Sequence, residues 1–249
     1  MSRYKKRTIY QIIVEAGLVE SKKQAVDLAR NEKIIVDGLP ITSLHYQVNP
    51  RKSKITVNEK EIKLEDKRRY FILNKPKGVI TTKENILKLF KGHIKNEELF
   101  AYYPIGRLDK NTTGLLIITN DGRLGNKILN PKQKIAKTYE AIVSGKLSDN
   151  AIEQLEKGVE ISLEEDGKIT KYRTQPAQII ILDFKDKQTR VEIIITEGKK
   201  RQIIRMFKSV NYRVIELKRT KIGRLELDNL NIGEVKEIPR QEFFKLVFE

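Results

Sequence analysis

The chain has 249 residues, with 50 Lys and Arg against 33 Asp and Glu for a formal charge of +17, and it contains no cysteine. Disulfides, thiolate metal sites and cysteine nucleophiles are therefore excluded, and no apolar run approaches the roughly 20 residues that span a bilayer. The composition predicts a two-part cytoplasmic protein, away from membranes, whose field attracts polyanions such as a nucleic-acid backbone; a lysine-rich compositional bias is the other reading of the same charge.

From the amino end, Ile9, Ile12, Ile13 and Ala16 recur at helical spacing, Gly17 stops that helix, and Ser21 caps a second one carrying Ala25, Leu28 and Ala29. Ile34 to Val36 run into Asp37 and Gly38, a tight-turn pair, with Ile41 beginning the return strand and Ile55 and Val57 suggesting another. The unit predicted is a helix, helix, hairpin module over residues 1–62. Residues 1–64 hold 13 Lys and Arg against 7 Asp and Glu, so the basic excess is dense here. Residues 63–69 are mostly charged and read as a linker.

Residues 70–249 are expected to form a second, larger domain. Strand-like runs occupy Tyr70 to Leu73, Leu115 to Thr119, Tyr139 to Val143, Ile179 to Leu182, Val191 to Thr196 and Val214 to Leu217. Helical patterns interrupt them only at Ala151 to Leu155 and Ile203 to Val210. Few helices between strands favour an α+β fold on a mostly antiparallel mixed sheet over a doubly wound one.

Within this domain the stretch YPIGRLDKNTTGLLIITNDG, Tyr103 to Gly122, sets a polar loop before an apolar strand. Asp109 lies in that loop, braced by the strand, where functional side chains are commonly held. Arg107 is close enough in sequence to pair with it or to take a phosphate. Read alone, the two residues could equally be a local ion pair closing the loop. Farther on, Ile203, Met206, Phe207 and Val210 make one apolar helix face, with Arg201, Arg205 and Lys208 on the other side. Residues 197–221 carry nine Lys and Arg against two Glu, a pattern suited to phosphates or to a solvated face. His45 and His93 stand far apart and show no metal-ligand spacing.

Two resemblances sharpen these readings. The segment GLVESKKQAVDLARNEKIIVDG, Gly17 to Gly38, resembles the S-four RNA-binding domain, which implies RNA contacts from Lys22, Lys23, Arg30 and Lys33, with Lys5, Lys6 and Arg7 at the first helix. Lys22 stands where that family often has Arg, which keeps the charge but loses the planar fork. In the larger domain, GRLD followed at fixed spacing by Thr, Gly and an apolar strand resembles the signature of the RsuA/RluB-type pseudouridine synthases. LNKPKGVITT (Leu73 to Thr82), Lys137-Thr138-Tyr139 and EGKKRQIIRMFKSVNYRVIELKR (Glu197 to Arg219) resemble that family's other motifs in the same order.

This second resemblance implies the pseudouridine synthase fold and isomerisation of a uridine in ribosomal RNA without cofactor or metal. It implies Asp109 as the catalytic carboxylate, Tyr139 as the active-site tyrosine and Leu217 packing nearby. Lys75, Lys137, Lys199, Lys200, Arg201 and Lys208 are expected to meet the RNA. The family usually has a basic residue at the position of Ile204, to neutralise the Asp; Arg205 and Arg107 are the candidates to replace it. Ile204 also suggests an alternative, a non-catalytic RNA-binding factor of ribosome assembly, and charge alone would allow a DNA-binding protein. Arg201 with Gln202 leans toward a large-subunit rather than a small-subunit RNA substrate. The expected partner is ribosomal RNA or a pre-ribosomal particle, bound by a monomer.

Overall fold

The structure is a computed structural model that describes residues 6–50, 52–62, 68–165 and 167–249. Lys5 and the greater part of the expected linker, residues 63–67, lie outside the described residues. The chain divides into two compact units, one of residues 1–68 with 86–103 and the other of 69–85 with 104–249. The segment 86–103, expected within the larger domain, thus groups with the amino-terminal residues, and helix α3 (Lys83–Phe90) carries the chain from one unit into the other.

In the first unit α1 (Ile9–Glu15) starts at a capping box between Thr8 and Gln11, and Gly17 ends it in the left-handed conformation that its missing side chain permits. Ser21 accepts from the Gln24 amide and caps α2 (Lys22–Arg30). Strands β1 (Ile34–Val36) and β2 (Leu39–Pro40) meet at Asp37 and Gly38, both at positive φ, as a two-residue hairpin requires. The return strand therefore begins at Leu39, two residues earlier than the sequence suggests. Strands β3 (Ile55–Val57) and β4 (Lys60–Glu61) complete a four-stranded antiparallel sheet in the order β2, β1, β3, β4. Its core is Ile9, Ile12, Ile13, Val19, Ala25, Ala29, Ile34, Val36, Val48, Ile55 and Val57, with Phe100 from the second segment packed against it.

The second unit is built on a nine-stranded sheet. Its main strands are β5 (Tyr70–Lys75), β6 (Thr113–Thr119), β7 (Lys137–Ser144), β10 (Gln178–Lys185), β11 (Gln188–Ile195), β12 (Val214–Ile222) and β13 (Val235–Ile238). They run in the order β10, β11, β7, β12, β6, β5, β13, antiparallel throughout except for the β12 and β6 pair. The mixed, mostly antiparallel sheet and the α+β class agree with expectation. Every residue of β5 is buried, and β6 is buried from Gly114 to Thr119, so both strands are covered on both faces.

Helices α4 (Leu124–Leu129), α5 (Asp149–Lys157), α6 (Gln202–Ser209) and α7 (Arg240–Phe248) accompany the sheet. On α7, Phe243 stacks on Tyr70 of β5 with ring centroids 4.7 Å apart. A separate hairpin of β8 (Glu160–Glu165) and β9 (Lys168–Arg173) packs through β8 against α6. No helix among the described residues is long and apolar enough to cross a membrane.

Candidate active site

Asp109 occupies the loop between Ile105 and Thr113, and groups from the end of β5 and the chain just after it hold that loop. The buried hydroxyl of Thr81 donates to the Leu108 carbonyl at 2.7 Å and accepts from the Leu108 amide at 3.1 Å, satisfying both backbone groups of the residue before Asp109. On the other flank the Lys110 carbonyl accepts from the Gly78 amide at 2.8 Å. The Lys75 ammonium donates to the carbonyls of Val79 at 2.7 Å and Pro76 at 2.9 Å and approaches that of Lys110 at 3.5 Å. Asp109 itself is half-buried, and among the described residues no side chain pairs with its carboxylate.

Lys75 has no exposed surface, so a phosphate cannot reach it, and its expected contact with RNA is replaced by a structural one. Burial lowers its pKa to about 8, against the opposing pull of the Asp109 charge. The sequence reading missed this role because a lysine is ordinarily counted as a surface cation.

Strand register extends the site across the sheet. Lys75 pairs with Gly114, Gly114 with Arg219, and Arg219 with Tyr139, so one row crosses β5, β6, β12 and β7. Residues paired in this way present side chains to one face. Gly114 provides the gap in the row: a Cβ there would stand 2.2 Å from the Arg219 carbonyl oxygen, closer than any side chain tolerates. Leu217, opposite Ala141, lies one pleat along on the same face as Arg219 and Tyr139.

Arg219 was not anticipated. It is 5% exposed; its Nε donates to the Leu115 carbonyl at 2.8 Å, its guanidinium carbon lies 6.0 Å from the Tyr139 ring centre, and its buried Nη2 has no acceptor. Lys137 is buried too, with its ammonium 3.0 Å from the Ile135 carbonyl rather than facing an RNA strand. Burial first and the Arg219 charge second lower its pKa to about 8, with Glu197 opposing.

Glu197, also missed, is 4% exposed and organises the entry to α6. It accepts from the Gln202 side chain at 2.7 Å, the Gln175 amide at 2.9 Å and the Tyr172 hydroxyl. Gln202 in turn accepts from the Lys199 amide at 2.9 Å, so the loop before α6 is fixed by a buried carboxylate and a buried amide. Lys199, Lys200, Arg201 and Lys208 remain exposed, as expected of phosphate-binding groups. Ile204 is half-buried on the helix. Arg205, its neighbour, carries a buried Nη1 with no acceptor.

Arg107 is exposed and is not the ion-pair partner of Asp109. In the first unit Lys6, Lys22, Lys23, Arg30 and Lys33 are exposed, whereas Arg7 is half-buried and ion-paired with Glu15 of α1. No group of three or more His, Asp or Glu near enough to hold a metal occurs among the described residues.

Known proteins are similar to this chain in sequence and fold. A profile of the family described as RNA pseudouridylate synthase matches residues 69–209. The ribosomal large subunit pseudouridine synthase B of Bacillus subtilis (strain 168) is 35% identical over 96% of this chain and 94% of its own length. The ribosomal small subunit pseudouridine synthase A of Salmonella typhimurium is 30% identical over 86% of this chain and 88% of its own. A crystal structure of a pseudouridylate synthase superposes with a TM-score of 0.64 at 27% identity, over 96% of this chain and 99% of that one. These relatives are named as synthases, and the reading as a non-catalytic assembly factor has no support. The chain belongs to the RNA pseudouridine synthase family, of the RsuA/RluB type, and is thereby an isomerase.

Proposed function

We propose that this protein converts a specific uridine of ribosomal RNA to pseudouridine, with Asp109 starting the chemistry. The reaction breaks the bond between uracil N1 and ribose C1′, turns the base, and rejoins the sugar at C5. Asp109 acts as nucleophile or as base, and either role requires an ionised carboxylate beside the ribose. The observation that carries this reading is the unpaired Asp109 carboxylate, on a loop whose flanking backbone is held by Thr81 and Lys75, the latter in the row that leads to Tyr139. Tyr139 stacks on the uracil and assists loss of the C5 proton, while Leu217 packs beside it. Arg205, whose buried Nη1 lacks an acceptor, is the candidate for the basic group that Ile204 does not provide.

A uridine in folded RNA must first leave its stack, at a cost of roughly a few kcal/mol. Phosphate contacts offset that cost, and their candidates are the exposed Arg107, Lys199, Lys200, Arg201 and Lys208. The amino-terminal residues 1–62 act as an S-four-like RNA-binding domain, with Lys6, Lys22, Lys23, Arg30 and Lys33 as its grip; residues 70–249 hold the chemistry, in a monomer. The lean toward large-subunit RNA rests on Arg201 with Gln202 and on the 35% identity to a large-subunit enzyme against 30% for a small-subunit one.

The test is a pseudouridine map of ribosomal RNA from cells with and without the gene, where one site should disappear. Asp109→Asn should fold and bind RNA as the parent does while losing at least about 10³-fold in rate. Retention of parental activity by that variant removes Asp109 from the mechanism.

A further inference from the structure

Arg219 is the most heavily buried cation of the site whose hydrogen bonding is incomplete. A charged donor cut off from water and lacking an acceptor is costly, and in a native protein such groups point to an unoccupied function. The guanidinium is not free to turn away, because its Nε is fixed to the Leu115 carbonyl. It stands in register with Tyr139, whose ring lies 6.0 Å away, and a second buried cation, Lys137, adds to the local positive field. Glu197 is the carboxylate that opposes this field at Lys137, and it is already engaged by Gln202, Gln175 and Tyr172. The pair is thus poised for an acceptor that gains negative charge during the reaction.

Resting on the proposed isomerisation, we infer that Arg219 is a catalytic residue that donates through Nη2 to a carbonyl oxygen of the target uracil and stabilises that ring once it is detached. When the bond from N1 to C1′ breaks, its electron pair stays on the base, and the charge spreads over N1 and the carbonyl oxygens. A prepositioned donor in a water-poor site favours that charged state more than the neutral base that precedes it. No proton moves to or from Arg219. The C5 carbon then forms the new bond to C1′, which leaves the ring neutral, and the proton on C5 is exchanged for one on N1. Arg219 acts on the leaving base, whereas Asp109 acts on the sugar.

Fluorine at C5 separates these roles, because it withdraws electrons and makes the uracil anion stable with less help. Single-turnover cleavage rates, with enzyme in excess, are to be compared on one RNA carrying uridine or 5-fluorouridine at the target. For Arg219→Gln the expected loss is about 100-fold with uridine and under about tenfold with 5-fluorouridine. Arg219→Lys, which keeps the charge but not the fork, should show a smaller split in the same direction; it decides the matter if the Gln variant does not fold. Equal losses on both substrates overturn the inference and reduce Arg219 to a positioning group. Parent protein that leaves uridine unconverted would instead refute the proposed isomerisation.

Discussion

The two units use the same residue types in opposite ways. In the first, Lys6, Lys22, Lys23, Arg30 and Lys33 stand in solvent on a small core. In the second, Lys75, Lys137 and Arg219 are buried, and each directs donors at backbone carbonyls around Asp109 or Tyr139. An exposed ammonium acts over a screened distance and without fixed geometry, so it contributes affinity and salt dependence. A buried one acts through short, directed bonds, so it fixes geometry. The lesson is that a net charge of +17 combines two functions, only one of which is attraction to a polyanion.

Three perturbations test that contrast, beginning with the largest effect. Thr81→Val leaves the Leu108 carbonyl and amide without their partner, which should cost about 1–3 kcal/mol in urea unfolding. Because the loop it releases carries Asp109, kcat should fall by about 100-fold while RNA affinity stays at the parental value. A loss of affinity without loss of kcat would mean that the loop serves binding.

The second perturbation is pH. Lys75 and Lys137 have pKa values lowered to about 8 in the folded protein from an ordinary 10.5. The native state therefore releases these protons first, and between about pH 8 and 10.5 their contribution to stability rises with pH. Activity should go the other way, falling about tenfold from pH 7 to pH 9 as the cation beside Asp109 is neutralised. Lys75→Arg, charged throughout this range, should move that alkaline limb upward; a limb that stays in place assigns the titration elsewhere.

The smallest effect belongs to the exposed cations. Replacing Lys22 and Lys23 together by Ala should weaken RNA binding about fivefold at low salt and reduce the salt slope by about 1.4 to 1.8. Turnover at saturating RNA should be unchanged. A change in kcat in this variant would break the division between the two kinds of cation.

Most of the framework was legible because it rests on local chemistry. Gly17, Ser21 and the Asp37-Gly38 turn each perform the task their residue type predicts. The apolar run after Asp109 is the central strand it resembles. What escaped the reading depends on partners far along the chain. Strand β12 was read as ending near Leu217 but continues to Ile222, because Lys218, Arg219 and Lys221 look like a surface stretch until β6 and β7 flank them. Helix α7 was missed because RQEFFKLVF has aromatic residues common in strands, and only its contact with Tyr70 makes it a helix face. The hairpin of β8 and β9 was hidden for another reason: β8 buries only Ile161 and Leu163 as alternating apolar positions, and β9 is exposed along nearly its whole length.

The contact of Gly114 with Arg219 also says something about how activity arises during folding. On each side of it the sheet is made of antiparallel neighbours: β10 with β11 and β5 with β6 pair over short or moderate chain separations, while β13 reaches β5 across more than 160 positions. The contact itself is the sheet's parallel seam, joining residues more than one hundred positions apart. Long closures of that kind have to be made against chain entropy before they are rewarded. Lys75 and Asp109 belong to one side of the seam, Arg219 and Tyr139 to the other. A molecule with both halves formed but the seam open has every catalytic side chain and no catalytic centre, so the enzyme acquires its chemistry in one step, when the two halves close.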